Sequence, residues 1–231
     1  MEINKLSLAI ALPLTDDKVH TNFLDAFVTL RKPESFLYLR PDFPSKNLAG
    51  VRNALVKQAM NAGATHILMM DTDQTPEKDL IEKLLKNLIE NDLLIVGGKV
   101  HRRYPNWDPL LLRLDKEKNK YYSVSDEEWT NNELVEVDAT GCGCLLIDLK
   151  LFDIIPFPWF KEGELTEEGK PIGEDVYFCE QIRKANIPIF VNTKVKIGHL
   201  GLMNVNEHFY FLNKMLNEAN KKKIRERVIH K

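Results

Sequence analysis

The apolar run THILMM (65–70) leads straight into Asp71-Thr72-Asp73, two carboxylates one residue apart. Alternate side chains of an extended chain share a face, so both can turn toward one cation, or toward one cation and a ribose. Hard carboxylate oxygens suit Mg2+ or Mn2+, and such an ion bridges the phosphates of a nucleoside diphosphate. The simpler alternative is a solvated loop whose aspartates cap the next helix. A second acidic pair, Glu174-Asp175, follows Gly173 and opens a helical segment, where the macrodipole by itself favours negative side chains. His199 lies between Gly198 and Gly201, where the backbone can approach a ligand closely, and neutral imidazole is an acceptable Mn2+ ligand. Lys99, His101, Arg102 and Arg103 form a positive cluster suited to a diphosphate or an anionic acceptor, or else a solvated face.

The elements that must carry these groups alternate. LSLAIAL (6–12), SFLYLR (35–40), THILMM and DLLIVGG (92–98) read as strands, with helices over 19–30 and 49–62 between them. A third helix is expected with Thr75 as its cap and Pro76 in its first turn, and with Leu80, Ile81, Leu84, Leu85, Leu88 and Ile89 at helical spacing. This alternation predicts an α/β fold with a mostly parallel central sheet covered by helices, and ligands at the carboxyl ends of its strands. Between 100 and 140, PLLLRL, KYYSVS and ELVEVDA read as shorter antiparallel strands, with DEEWTNNE as a loop. The proline-, glycine- and aromatic-containing stretch 156–172 reads as a functional loop that orders over a ligand, 174–186 as a helix, and 213–231 as a basic helical tail.

A chain of 231 residues with 44% hydrophobic content suits one large domain, placed at 1–212, with the tail at 213–231. Its net charge of -2 gives no global field for nucleic acid or an anionic membrane. No transmembrane segment is read. The apolar Leu6–Leu14 run has Glu2 ahead of it and TDDK behind, which suits a buried strand better than a secretion signal. Cys142, Cys144 and Cys179 form neither a disulfide framework nor a zinc spacing, so a reduced, cytoplasmic setting is expected. The tail's Lys221, Lys222, Lys223, Arg225 and Arg227 read as a solvated helix end.

RNALVKQAMNAGATHILMMDTDQTP (52–76) resembles the stretch leading into the D-x-D motif of the GT-A glycosyltransferases, especially family-2-like members. GEDVYFCEQIRKANIPIFVNTKVKIGHLG (173–201) resembles their E-D helix, the strand after it and a histidine. The resemblance covers most of residues 6–200. It implies a GT-A type, Rossmann-like single domain with a smaller antiparallel acceptor-side portion. It also implies transfer of a hexose-type sugar from a nucleoside-diphosphate sugar, UDP- or GDP-linked, to a glycan, lipid or other hydroxyl acceptor.

By that resemblance Pro13 and Thr15, after the first strand, receive the base and ribose. Arg52 of the Arg52-Asn53 pair contacts the nucleotide or the crevice wall, and Asp71 also serves the nucleotide. Gly141 and Cys142 line the donor sugar, although close backbone packing is the alternative for both. Asp71, Asp73 and His199 hold Mn2+ or Mg2+. Asp175 is expected to be the base of an inverting transfer, with Glu174 supporting it. The family's uracil-reading aspartate falls at Arg40-Pro41-Asp42, where Pro41 interrupts the match. Trp107, Trp159 and Phe160 are candidates for stacking on sugar rings or for anchoring the core. Two other functions compete. A nucleotidyltransferase would need a glycine-rich phosphate loop after the first strand, which is lacking. A non-catalytic nucleotide-sugar-binding module would not need both acidic motifs.

Overall fold

Every residue of β1 (Leu8–Ala11) and of β3 (His66–Met70) is buried, as strands covered on both faces must be. The structure is a computed structural model describing residues 6–104, 106–163, 172–202 and 205–229, with side chains through residue 218. It divides into two units, Met1–Leu200 and Gly201–Lys231.

In the first unit β1 is followed by α1 (Thr21–Thr29), β2 (Phe36–Leu39) and α2 (Leu48–Asn61). Asn47 caps α2 by accepting the Gly50 N–H at 2.8 Å, and Gly63, at φ 73°, turns the chain back into β3. Next come β4 (Gln74–Pro76), α3 (Leu80–Glu90), β5 (Ile95–Gly98), the hairpin of β6 (Leu112–Asp115) and β7 (Lys120–Ser123), α4 (Asp126–Asn131) and β8 (Leu134–Val137). The unit continues through β9 (Cys144–Asp148), α5 (Leu151–Ile154), α6 (Glu174–Lys184), β10 (Ile189–Asn192) and β11 (Ile197–His199). The second unit contains α7 (Glu207–Ile229), which starts ahead of the expected Asn213.

The main sheet has seven strands in the order β2-β1-β3-β9-β5-β10-β8. β1, β2, β3, β5 and β10 run the same way, while β9 and β8 run against them. The sheet is therefore mostly parallel, as expected. Its alternating side chains feed two cores. Ile67, Met69, Leu145 and Ile147 pack with Leu55 and Val56 of α2 and Phe178 of α6. Leu68, Met70 and Leu146 pack with Phe23 of α1 and Leu80, Ile81, Leu84 and Leu88 of α3. Each such side chain contributes roughly 1.5–3 kcal/mol of burial, which outweighs the weak capping of α3. Because β2 and β3 flank β1 on opposite sides, the crevice of the sheet opens at the carboxyl ends of β1 and β3.

Two local expectations are corrected. Thr75 and Pro76 do not open a helix. They belong to β4, which pairs antiparallel with β11 through Gln74 with His199, Thr75 with Gly198 and Pro76 with Ile197. The helix starts later, after Asp79, because the paired ribbon satisfies the backbone that a helical turn would otherwise use. The stretch DEEWTNNE also begins as a helix rather than a loop: Ser125 caps α4 by accepting the Glu128 N–H at 3.2 Å, and acidic residues fill the first turn.

Candidate functional site

Arg52 lies on α2 with its side chain 1% exposed, at the junction of three segments far apart in sequence. Its Nη2 donates to Asp71 Oδ1 at 2.8 Å, its Nε to Glu174 Oε1 at 3.3 Å and its Nη1 to the Cys142 carbonyl at 3.4 Å. Burial would lower the pKa of this guanidinium, but the carboxylates of Asp71 and Glu174 raise it, so it stays protonated. One cation thus ties the exit of β3, the turn before β9 and the start of α6 into one rigid wall.

Asp71 is fixed a second way, since its N–H donates to the Gly143 carbonyl at 2.9 Å. A methyl group on Gly143 would lie 3.1 Å from Asp71 Oδ2 and 3.0 Å from Gln74 Nε2, so a larger residue there would push on both side chains. Gly141 is similarly enclosed, its added Cβ falling 2.9 Å from Leu110 Cδ1 and 3.9 Å from Asp175 Oδ2. These glycines bring backbone against the acidic groups, and Cys142 between them is a buried thiol whose pKa burial pushes well up.

Asp175 sits in the first turn of α6, its Oδ1 accepting the Val176 N–H at 2.8 Å. Burial pushes its pKa up against that hydrogen bond. Burial also raises the pKa of Glu174, with Arg52 opposing and Asp175 adding to the rise. A carboxyl whose proton affinity is raised toward neutrality is matched to general-base work.

Asp73 belongs to a different set. Its Oδ2 accepts from Arg103 Nη1 at 2.8 Å and lies 3.3 Å from His199 Nε2. His199 Nδ1 is 2.6 Å from the His101 carbonyl, which fixes that nitrogen as the N–H donor. The β4/β11 ribbon makes this meeting possible by returning His199 opposite Gln74, and the Leu200 N–H donates to the Asp73 carbonyl at 2.7 Å. Burial raises Asp73, but the His199 hydrogen bond and the His199 and Arg103 charges outweigh it and hold the carboxyl below its ordinary value. Burial lowers His199, and its bonds to Asp73 and the His101 carbonyl outweigh that and raise it.

Asp73 and His199 suit a divalent ion: an oxygen and an imidazole nitrogen converge, and the second imidazole nitrogen is oriented by a carbonyl. Asp71 is turned to Arg52 instead, and no group of three or more His, Cys, Asp or Glu side chains is arranged around a metal position among the described residues. The donor set therefore fits an ion that takes two protein ligands and draws the rest from bound phosphate oxygens and water.

Of the other expected residues, Pro13 is buried and Thr15 half-buried at the exit of β1, whose Ala11 pairs with Met69 of β3. The turn after β1 therefore lies beside the carboxylates that follow β3. Asp42 is exposed. Trp159 and Phe160 are core residues, Trp159 Nε1 donating to the Phe152 carbonyl at 3.1 Å and Phe160 stacking on Phe178 with centroids 4.4 Å apart. Trp107 is 46% exposed and is the stacking candidate that stays on the surface. Residues 164–171 of the 156–172 stretch, and the side chains of Lys221, Lys222, Lys223, Arg225 and Arg227, lie outside the described residues.

Three contributors were not singled out from sequence. Gln74 is buried, with Nε2 3.4 Å from Asp73 Oδ1 and its Oε1 unpartnered. Asn53 exchanges two hydrogen bonds with the Phe160 backbone, at 2.7 and 3.2 Å, and Glu162 Oε1 accepts the Ala49 N–H at 3.1 Å. Both fasten the start of the 156–172 stretch to α2. Asn53 beside Arg52 was the available signal; Gln74 and Glu162 had none.

The profile of the family described as Glycosyl transferase family 2 matches residues 22–146, more than half of the chain. No curated protein matches it. Among solved structures, A197 from STIV is similar with a TM-score of 0.55 and 15% identity, covering 84% of this chain and 85% of that one. GalNAc-T7 with UDP, GalNAc and Mn2+ is similar with a TM-score of 0.54 and 11% identity, covering 86% of this chain and 44% of that one. At these identities the likeness shows the fold, that of the GT-A glycosyltransferases. By the sequence of residues 22–146 and by its architecture, the chain belongs to glycosyltransferase family 2.

Proposed function

We propose that the protein transfers a sugar from a nucleoside-diphosphate sugar to a hydroxyl acceptor, with inversion at the anomeric carbon. The observation that carries this reading is the convergence of Asp71, Glu174 and the Cys142 carbonyl on buried Arg52, which joins three motifs separated by up to 122 residues. A binding module needs no such registration of an acidic helix start against the end of β3.

In this reading the turn at Pro13 and Thr15 takes the base and ribose of a UDP- or GDP-linked donor. Gly141, Cys142 and Gly143 bring backbone close to the donor sugar. Asp73 and His199 hold Mn2+ or Mg2+, with Asp71 positioned behind them by Arg52. When bound, the ion supplies positive charge to the departing diphosphate. Arg103, resting on Asp73, is placed to follow the diphosphate as a second cation. Asp175 Oδ2 accepts the proton of the acceptor hydroxyl as the new bond forms, and Glu174, fixed by Arg52, orients the start of α6.

Three measurements test this reading: thermal shift, product NMR and activity in excess chelator. Thermal-shift titration with UDP, GDP and their sugar conjugates, with and without Mn2+, is expected to raise the Tm for one nucleotide class in the metal's presence. NMR of the first-formed product is expected to show the anomeric configuration opposite to the donor's. Full activity in excess chelator rejects the metal assignment, and a retained configuration rejects Asp175 as the base.

A further inference from the structure

A second cavity, of about 610 Å³, lies at the carboxyl ends of β5 and β10, and none of Arg52, Asp71, Asp73, Glu174, Asp175 or His199 lines it. Its walls carry Lys99 from the exit of β5 and Lys194 and Lys196 from the β10–β11 connection. Glu77 is the carboxylate on its lining, and that group is already engaged: its Oε1 accepts from Lys83 Nζ and from the Lys196 N–H, both at 2.8 Å. Lys99 Nζ lies 4.0 Å from the centre of the Trp129 ring, and no carboxylate within ion-pair distance of it is found among the described residues. Burial and the neighbouring Lys194 charge lower the Lys99 pKa, as expected for crowded ammonium groups without a counter-ion. The cavity adjoins the carboxylate site, because His101 and Gly198 line it while the His101 carbonyl holds His199.

We propose that this cavity is a second oxyanion site, which holds a phosphoryl group of the acceptor while the nucleotide donor occupies the carboxylate site. Assigning that group to an acceptor rests on the sugar-transfer reading above. Three lysines on two segments, Lys99 after β5 and Lys194 and Lys196 on the β10–β11 connection, with one carboxylate already spent, suit a doubly charged phosphoryl group better than a single carboxylate. The volume falls within the range that holds a small molecule rather than an isolated ion.

The test is calorimetric titration of the full chain with inorganic phosphate, alone in metal-free buffer and again in Mg2+ with saturating UDP or, where GDP is the nucleotide that binds, GDP in its place. Phosphate is expected to bind one site, to weaken as salt is raised, and to bind equally well with UDP present. The Lys99→Gln/Lys196→Gln double variant is expected to weaken phosphate binding about tenfold or more while leaving UDP affinity unchanged. Lys196→Gln alone, altering an exposed side chain, guards against misfolding and is expected to give a smaller loss in the same direction. Absence of phosphate binding, equal binding by the double variant, displacement by UDP, or acetate binding as tightly as phosphate would each overturn the proposal. Failure of both UDP and GDP to bind in Mg2+ while phosphate still binds rejects the sugar-transfer reading and with it the acceptor; failure of phosphate with nucleotide binding intact rejects only the cavity.

Discussion

Asp71 and Asp73 lie one residue apart, yet their carboxylates belong to two different ionic networks. Asp71 is held from behind by Arg52, which is 1% exposed and also bonded to Glu174 and the Cys142 carbonyl. Asp73 faces Arg103, which is 44% exposed, and His199 on the β4/β11 ribbon. Period-2 alternation would place both aspartates on one face, but β3 ends at Met70 and the Gln74 N–H turns back to the Asp71 carbonyl at 3.2 Å. That turn separates them. The inner network is a buried frame, whereas the outer one meets solvent through Arg103, and in the proposed reading it exchanges that cation for a ligand.

The largest expected effect comes from breaking the frame. Arg52→Met leaves Asp71 and Glu174 without their shared cation in a desolvated place, and is expected to cost roughly 3–5 kcal/mol of stability, read as a large drop in Tm by calorimetry. Breaking the outer pair with Arg103→Met is expected to cost under about 1 kcal/mol, because an exposed ion pair is screened by water. Equal losses for the two variants would erase the distinction. Asp175→Asn comes next. It removes the base while preserving shape, and is expected to lower kcat by roughly 10²-fold or more with nucleotide affinity retained.

The inner frame was far more legible in the sequence than the outer network. Arg52, Asp71, Glu174 and Cys142 stand in motif context, and strong strand and helix periodicity on either side places them at element ends. The Arg103 pairing with Asp73 depends on the path after β5, which no periodicity governs. The β4/β11 ribbon was hidden because Thr75-Pro76 is a good helix-start signal, and three paired residues are too short to show alternation. For Trp159 and Phe160 the sequence left sugar stacking and core anchoring open, and Asn53 and the aromatic contacts with Phe152 and Phe178 draw them into the core. Tertiary contacts of that kind leave no local pattern.

A pH series sharpens the account of Asp175. Its folded pKa is raised above the unfolded value by burial, so the folded state binds the proton more tightly. The stability this confers is fully present below the ordinary aspartate pKa of 3.8 and is lost as pH rises through the raised value. Asp175→Asn, which stays neutral, is therefore expected to be more stable than wild type at neutral pH, with the gap closing as pH falls toward about 4. Thermal melts across that range check this, and a gap that widens on acidification contradicts the burial of the carboxyl. Transfer should in turn decline as pH falls through the raised value, because the base is then protonated.

The smallest expected effect on stability, that of Arg103, makes the sharpest test of exchange in the outer network. In the resting arrangement Arg103 Nη1 holds Asp73 Oδ2 at 2.8 Å, the oxygen that also lies closest to His199 Nε2. A divalent ion bound by Asp73 and His199 must compete with that guanidinium, since both draw on the same lone pairs. Arg103→Gln keeps a polar side chain but removes the competing charge, so Mn2+ binding without nucleotide is expected to tighten, by about threefold to tenfold, corresponding to roughly 0.7–1.4 kcal/mol. With a diphosphate present the sign is expected to reverse. Arg103 released from Asp73 has lost one anion and gains another, and its removal takes a cation away from the leaving group, so UDP affinity in Mn2+ should fall by a similar factor. Calorimetric titration of Mn2+ alone and of UDP at saturating Mn2+, on wild type and variant, reads both. Changes of the same sign in the two titrations would mean that Arg103 does not exchange partners, and that the outer network is as fixed as the inner one.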